Sequence, residues 1–289
     1  PVPAGAFGVG AAVTKPACAE PPSNYSPLKV PGTVVKDIDG LEAGTNHGRA
    51  ADKYVYSASV VNQWLEKPST QPKNKKIVFV TFDDGPTTKF TGEQLDNLEK
   101  AGARATFFMI PPQMRDVGKN LLSRSLKMGN ALAIHSYSHD YKYLYHGRAA
   151  DKAKHIGCDW DWAMAQSRAI LGSNYFSSAF RYPGGHMSWT NLSQADAALA
   201  KRGVGWIDWN AMSGDADAQR PTTVPGYLQM VKKSIKESNN PNVVVILNHD
   251  TYGKQMTAKA MPSILAWLKS QGYELSLIHI SEPTRRRGI

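Results

Sequence analysis

From residue 77 onward, short apolar runs alternate with longer stretches in which hydrophobic and polar residues recur at helical spacing. The run IVFVTF at 77–82 is rich in β-branched residues, which is typical of a strand buried on both faces. Six later runs share this character. The seven predicted strands are residues 77–82, 105–110, 131–134, 178–181, 204–209, 243–248 and 273–277.

Helical patterns occupy most of the intervals between these strands. Thr91 followed by Gln94 fits a capping box, and Gly129, Gly203 and Gly272 stand where glycine commonly ends a helix. The predicted helices are residues 57–65, 91–101, 119–128, 159–171, 191–202, 224–236 and 262–271. Because strands alternate with helices, we expect βαβ units and a parallel sheet. The pattern alone leaves open whether this sheet is doubly wound and open, or a closed or partly closed barrel.

The composition is that of a globular protein, with 42% hydrophobic and 20% charged residues in a chain of 289. These values exclude disordered, collagen-like and coiled-coil chains. No run of about 18 apolar residues occurs, so we expect no transmembrane helix. Cys18 and Cys158 are too few for a disulfide-rich scaffold or a four-thiolate zinc site, and the sequence leaves open whether they are bridged.

The formal net charge of +10 indicates an anionic partner, such as nucleic acid, a membrane surface or an acidic cell-wall polymer. Apart from NKK before the first strand and RRR near the C-terminus, lysine and arginine are scattered along the chain. Nucleic-acid binding favours clustered basic residues, so we expect no nucleic-acid partner.

Three regions are predicted along the chain. Residues 1–74 form an N-terminal segment whose first 22 residues are rich in Ala, Pro and Gly, as in the remnant of an export segment and stalk, followed by a small extension. Residues 75–276 contain the regular alternation and form the main domain. Residues 277–289 end in SEPTRRRGI, which resembles a translated cloning adaptor, so we expect a non-native tail.

Reactive side chains follow the first and third predicted strands. Asp83 and Asp84 follow the first, and His135 and His139 follow the third. Active sites of parallel α/β folds lie at the carboxyl ends of the strands. Two imidazoles with one carboxylate form a recurrent metal site, which leaves the second carboxylate free to accept a proton. The alternatives are a solvated Asp-Gly-Pro turn and a chance histidine pair.

Polar residues also follow the later strands. Arg181 is followed by Tyr-Pro-Gly-Gly, and a fixed cation beside a bare backbone suits holding a carboxylate and presenting an N–H to an oxyanion. Asp208 and Asp215 belong to the next strand end, and His249 follows the sixth strand, where it could act as a general acid. Each feature alone also fits an ordinary loop or a structural histidine. Five such features at five strand ends favour one active site.

The order of the motifs TFDDGP, HSYSHD, RYPGG, DWN and ILNHD resembles that of the polysaccharide deacetylases, also called the NodB homology domain. The resemblance covers about residues 75–275 and is greatest to bacterial peptidoglycan N-acetylglucosamine deacetylases. It implies a distorted (β/α) barrel of about seven parallel strands surrounded by helices. It also makes residues 75–276 the catalytic domain.

The resemblance further implies a base and a metal site. Asp83 corresponds to the general base, and Arg181 to the residue that orients it. Asp84, His135 and His139 correspond to the metal ligands. The implied metal is zinc, with cobalt or another divalent ion as the alternative.

Other residues correspond to the substrate side of the site. The backbone N–H of Gly184, in a loop with Tyr182 and Pro183, would help to form the oxyanion hole. Many members have tyrosine where this chain has Gly184. Leu247 would line the pocket for the acetyl methyl group, and Trp209 would form a wall.

The general acid corresponds to His249. A carboxylate is expected to tune it, but DWNAMSGD departs from the usual Asp-x-x-Asp-Trp pattern of the family. Either Asp208 or Asp215 could therefore be that carboxylate.

The resemblance implies metal-dependent removal of N-acetyl groups from N-acetylglucosamine in peptidoglycan by an extracellular or surface-associated bacterial enzyme, expected to be monomeric. Its partner would be the glycan strands of the cell wall. One alternative keeps the site but acts on chitooligosaccharide, poly-N-acetylglucosamine or acetylated xylan. Another is a catalytically weak surface protein that binds glycans or a glycoprotein.

Overall fold

The computed structural model describes Cys18 and residues 32–278. The strands are β1 (Val55–Tyr56), β2 (Lys76–Asp83), β3 (Thr106–Met109), β4 (Ala131–Ile134), β5 (Ala179–Phe180), β6 (Gly205–Trp206), β7 (Ala211–Met212), β8 (Val243–His249), β9 (Tyr273–Leu275) and β10 (Leu277–Ile278). The α-helices are α1 (Ala58–Glu66), α2 (Thr88–Ala101), α3 (Met114–Val117), α4 (Lys119–Lys127), α5 (Tyr141–Tyr145), α6 (Ala149–Leu171), α7 (Ser193–Ala200), α8 (Val224–Glu237) and α9 (Gln255–Ser270).

Parallel pairing joins eight of these strands into one curled sheet with the order β6-β5-β4-β3-β2-β8-β7, and β9 also pairs with β2. The central strand β2 pairs with β8 from Ile77 to Asp83, with β3 near its carboxyl end and with β9 near its start. Within residues 32–278, β6 and β7 are not paired with each other, so the sheet does not close there. The sheet is therefore a curled half-barrel surrounded by helices, which confirms the distorted (β/α) barrel expected from the resemblance.

The burial of the central strand explains why its sequence is an unbroken apolar run. Seven of the eight residues of β2 are buried, because the sheet is covered on both faces. Phe82 of β2 and Phe107 of β3 stack with their ring centroids 5.1 Å apart. This packing fixes the carboxyl end of β2, where the first candidate residues lie.

The helices differ from prediction mainly at their starts. Thr87, not Thr91, is the N-cap of α2, because the Thr87 hydroxyl accepts a hydrogen bond from the Phe90 N–H. The helix predicted for 159–171 begins ten residues earlier, as α6, and Pro262 lies inside α9 instead of opening a helix. Across the described residues, no helix is both long enough and apolar enough to cross a membrane.

Parts of both terminal regions belong to the folded unit. Val55–Tyr56 (β1) pairs in parallel with Leu277–Ile278 (β10), and both β10 residues are fully buried. The region predicted as a non-native tail thus begins with two residues of the fold, while 279–289 lie outside the described residues. A disulfide joins Cys18 to Cys158 of α6, which answers the question that the sequence left open.

Candidate active site

The carboxyl ends of the central strands bring the predicted catalytic residues together. Asp83 ends β2 and is the register partner of His249, which ends β8. His135 directly follows β4, and its N–H donates to the Met109 carbonyl at the end of β3. Arg181 directly follows β5, and its N–H donates to the Ile134 carbonyl. Four strand ends therefore converge, as the parallel sheet predicts.

Asp84, His135 and His139 form a group of side chains that could hold a metal ion. Asp84 Oδ1 lies 3.2 Å from His135 Nε2 and 3.1 Å from His139 Nε2, and one ligand atom from each residue lies within 4.8 Å of the others. Asp84 has a φ of 71°, a left-handed conformation that is costly for a residue with a β-carbon. Its Oδ1 is buried and accepts no hydrogen bond of good geometry within the described residues.

The electrostatics of this group suit cation binding. His135 Nδ1 lies 2.9 Å from the Arg181 carbonyl oxygen, so a hydrogen bond there leaves Nε2 facing Asp84 as a potential ligand atom. Burial alone would raise the pKa of Asp84, but the two nearby imidazoles outweigh burial and lower it. A carboxylate and two imidazoles thus face one point.

The neighbouring carboxylate, Asp83, is held by a fully buried arginine. Arg181 Nη1 donates to Asp83 Oδ1 at 2.9 Å and to Thr81 Oγ1 at 2.6 Å, while its Nε donates to the Ile207 carbonyl at 3.1 Å. The other oxygen, Asp83 Oδ2, lies 3.7 Å from His135 Nε2. Arg181 therefore orients the Asp83 carboxylate beside the candidate metal site.

His249 is paired with Asp215. Its Nδ1 lies 2.8 Å from Asp215 Oδ1, and its backbone N–H donates to Asp215 Oδ2, which also accepts from the Thr257 hydroxyl. Burial opposes the imidazolium charge, but Asp215 and the nearby carboxylates outweigh burial and raise the pKa of His249 to about 9. Its Nε2 lies 3.9 Å from Asp84 Oδ2, so the free nitrogen faces the candidate metal site.

Asp208 binds the backbone of the loop that follows β5. Its two carboxylate oxygens accept hydrogen bonds from the backbone N–H groups of His186 and Met187, at 2.8 and 2.9 Å. Of the two candidates that the sequence offered for pairing with His249, Asp215 therefore makes the contact, while Asp208 shapes the loop after Gly185. The Trp209 ring packs closely against that loop. A β-carbon at Gly185 would lie 2.7 Å from a carbon atom of this ring.

Two side-chain donors hold the backbone of the loop after β5. The Pro183 carbonyl accepts hydrogen bonds from the Tyr145 hydroxyl and from Trp189 Nε1, at 2.8 and 2.9 Å. Gly184 has a φ of 78°, and its N–H makes no hydrogen bond within the described residues. Tyr182, which the resemblance placed on the substrate side of the site, is fully buried and its hydroxyl donates to Asp196, so its side chain does not face a substrate.

Leu247 precedes His249 by two positions on β8. Alternate residues of a strand face the same side of the sheet, so Leu247 and His249 share a face. Leu247 is buried except for a small exposed fraction, and it is the register partner of Thr81 in β2. This position suits the apolar pocket that the sequence predicts.

Sequence reasoning missed Asp159, which holds the loop between the two histidines. Its buried carboxylate accepts hydrogen bonds from the Ser136 hydroxyl, the Tyr137 N–H, and both the N–H and the hydroxyl of Ser138. These donors lie 21–23 residues earlier in the chain. The only local signal was an acidic residue placed directly before a tryptophan in DWDW.

Asp250, also missed, lies against the turn after Asp84. Its carboxylate occupies the space where a β-carbon at Gly85 would be, and its Oδ2 accepts from the Thr91 hydroxyl at 2.5 Å. Burial, only partly offset by this hydrogen bond, raises the pKa of Asp250 to about 7. Gly85 is therefore required for this close approach.

Residues 70–201 match the family model for polysaccharide deacetylase. The chain is 30% identical over 210 residues to the putative polysaccharide deacetylase YheN of Bacillus subtilis, covering 72% of this chain and 69% of that protein. It is 27% identical over 220 residues to a peptidoglycan-N-acetylglucosamine deacetylase of Bacillus cereus, covering 74% and 91%. It is also 30% identical over 220 residues to a bifunctional xylanase/deacetylase of Pseudobutyrivibrio xylanivorans, covering 76% of this chain but only 32% of that longer protein.

The fold comparison agrees with the sequence comparison. A solved structure of a Streptococcus mutans CE4 esterase is 38% identical, with a TM-score of 0.74 over 84% of this chain and 100% of that one. The chain therefore belongs to the polysaccharide deacetylase family and is a hydrolase.

Proposed function

We propose that this protein is a metal-dependent deacetylase that hydrolyses the N-acetyl groups of N-acetylglucosamine residues in peptidoglycan, releasing acetate and leaving glucosamine. The observation that carries the proposal is the convergence of Asp84, His135 and His139 beside the Asp83–Arg181 pair. The peptidoglycan-N-acetylglucosamine deacetylase of Bacillus cereus supports the choice of substrate.

The residues of the candidate metal site fit a divalent cation. Asp84 Oδ1 is a buried carboxylate oxygen that lacks a hydrogen-bond donor within the described residues, and both imidazole Nε2 atoms lie beside it. Two imidazoles with one carboxylate suit zinc, and cobalt accepts the same donors. When bound, such an ion lowers the pKa of a water molecule and polarises the acetyl carbonyl.

The chain's own residues supply the proton transfers. Asp83, oriented by Arg181, accepts a proton from the attacking water. The Gly184 N–H donates a hydrogen bond to the oxygen on which negative charge develops. His249, protonated below pH 9, donates its Nε2 proton to the nitrogen of the departing glucosamine while Asp215 holds the opposite ring nitrogen.

A second substrate class has a specific observation in its favour. The relative from Pseudobutyrivibrio xylanivorans is a bifunctional xylanase/deacetylase, and the structural neighbour from Streptococcus mutans is described as an esterase. The same residues could hydrolyse an acetyl ester of xylan, because water attack on the acetyl carbon is common to both reactions. An ester needs less help from His249, since an alcohol is a better leaving group than an amine.

We further propose that the protein works outside the reducing cytosol, on the surface of a bacterial cell or beyond it. The Cys18–Cys158 disulfide supports this location, because disulfides persist in oxidising compartments. The net charge of +10 suits an anionic cell wall.

The substrate is tested by measuring acetate release by the zinc-loaded protein from N-acetylated peptidoglycan, chitooligosaccharide and acetylated xylan. The proposal predicts the fastest release from peptidoglycan, with new free amines appearing in the glycan. Faster release from xylan without new amines would replace it with the esterase alternative. Release from none of the three by a correctly folded, zinc-bound protein would overturn both.

A further inference from the structure

The exposed apolar side chains are unevenly distributed. Among the described residues, the large hydrophobic side chains that remain exposed are Val34, Val60, Tyr141, Met187 and Tyr252. The last three follow the carboxyl ends of β4, β5 and β8, which are strand ends that form the candidate active site. Single exposed apolar residues need no explanation, but those that follow the strand ends of a candidate active site lie where a substrate would bind.

Of these three side chains, Tyr141 contacts a candidate metal ligand. Its ring centroid lies 5.5 Å from that of His139. A β-carbon at Gly184 would lie 3.2 Å from the Tyr141 hydroxyl oxygen. Tyr141 therefore stands between the candidate metal site and the loop that presents the Gly184 N–H.

The ring of Tyr141 is fixed from behind although its side chain is 45% exposed. It packs edge-on against Trp189, with centroids 5.2 Å apart, and against Tyr145 at 6.1 Å. Trp189 in turn stacks on Tyr145 at 3.9 Å, and both donate to the Pro183 carbonyl. Tyr141 can therefore offer an aromatic surface with little loss of conformational entropy on binding.

We propose that Tyr141 is a sugar-binding platform, on which a pyranose ring of the acetylated glycan stacks through its apolar C–H face. The inference rests on the proposed function, because it takes the ligand to be an acetylated glycan. Gly184 contributes to the platform by leaving the adjacent space free of a side chain. Tyr141 thereby selects glycan substrates over small acetyl compounds that lack a sugar ring.

The test compares Tyr141→Ala and Tyr141→Phe with the wild-type protein, and Val60→Ala serves as the control for loss of an exposed apolar side chain on α1. For each zinc-loaded protein, kcat/KM is measured on a chitooligosaccharide and on para-nitrophenyl acetate, which has no sugar ring. Binding of the same oligosaccharide to metal-free protein is measured by titration of tryptophan fluorescence. The binding experiment does not depend on turnover.

We expect Tyr141→Ala to lower the ratio of oligosaccharide to ester kcat/KM by roughly threefold to tenfold and to weaken oligosaccharide binding by a similar factor. Tyr141→Phe, which keeps the ring, and Val60→Ala should retain the wild-type ratio and binding. An unchanged ratio and affinity in Tyr141→Ala would overturn the platform, as would an equal loss on both substrates. If the wild-type protein binds the oligosaccharide without deacetylating it, the proposed function fails while the binding comparison still decides the role of Tyr141.

Discussion

Four aspartates near the active site differ in what surrounds their carboxylates, and these surroundings separate their roles. Asp83 is bound by the Arg181 guanidinium, and Asp84 faces two imidazoles. Asp215 contacts His249, while Asp208 binds backbone N–H groups. The residue type and the strand end predict that a carboxylate lies near the site. Only the partner of each carboxylate predicts what it does.

The pair formed by Asp215 and His249 predicts a pH dependence. His249 has a pKa raised to about 9, so its protonated form is present at neutral pH and is lost as pH rises through 9. Asp215→Asn removes the largest influence that raises this pKa, so the alkaline limb of the kcat/KM profile should move to lower pH. Asp208→Asn is the matched control and should leave the limb in place. An alkaline limb in Asp215→Asn identical to that of the wild type would contradict the pairing.

Arg181 predicts an effect on stability. Replacing this buried arginine by leucine leaves the Asp83 carboxylate buried without its partner, so we expect the free energy of unfolding to fall by about 3–5 kcal/mol. Arg202→Leu removes an ion pair with Asp161 whose side chains are about one third exposed, so it should cost less than Arg181→Leu. Urea denaturation of both variants checks this difference, and equal losses would show that burial of the Asp83–Arg181 pair is unimportant.

At the scale of elements, α6 supports the loop that follows β4. Asp159 lies on this helix, and its four hydrogen bonds shape the residues between His135 and His139. In Asp159→Asn an NH2 group replaces one of the two acceptor oxygens. This group is itself a donor and cannot accept the hydrogen bonds of the loop. We therefore expect zinc affinity to fall by about tenfold or more in a calorimetric titration.

Asp161→Asn provides the control for this prediction. Asp161 lies two residues further along the same helix, and its carboxylate pairs with Arg202 at the surface. Zinc affinity should remain at the wild-type value in this variant. Equal affinities in the two variants would rule out a role for Asp159 in positioning the histidines.

The elements also show how far sequence patterns reach. The apolar run at 77–82 predicts β2 within one residue at each end, because burial on both faces dictates its composition. The two-residue strand β7 (Ala211–Met212) was missed, since its extended conformation depends on pairing with β8. The first turns of α6 were missed as well. Long buried elements are specified locally, whereas short ones depend on distant partners.

The same limit applies to the site residues. Asp83, His135 and His139 could be predicted because they directly follow or closely follow apolar runs. The contact between His249 and Asp215 joins residues 34 positions apart, and the sequence could not choose between Asp215 and Asp208. Tyr182 was expected on the substrate side, but its ring is fully buried and its hydroxyl donates to the partly exposed Asp196. The direction of a side chain within a loop is set by tertiary packing, which local patterns do not contain.

For the whole molecule, the Cys18–Cys158 disulfide connects the N-terminal segment to α6, next to Asp159. It closes a loop with a sequence separation of 140 residues, which restricts the unfolded chain. We expect reduction to lower the free energy of unfolding by about 2–4 kcal/mol. Thermal unfolding with and without a reductant measures this effect, with Cys18→Ser in oxidising buffer as the control for side effects of the reductant. An unchanged melting temperature in both would contradict the prediction.

The central claim, that this curled barrel carries a metal-dependent deacetylase site, is tested most directly by acetate release from peptidoglycan. The protein is first stripped of metal, then assayed before and after addition of zinc, with Asp83→Asn treated in the same way. The account predicts no release without metal, release on adding zinc, and a loss of at least about a hundredfold in Asp83→Asn although zinc still binds. Undiminished release by the metal-stripped protein, or by zinc-loaded Asp83→Asn, would contradict it.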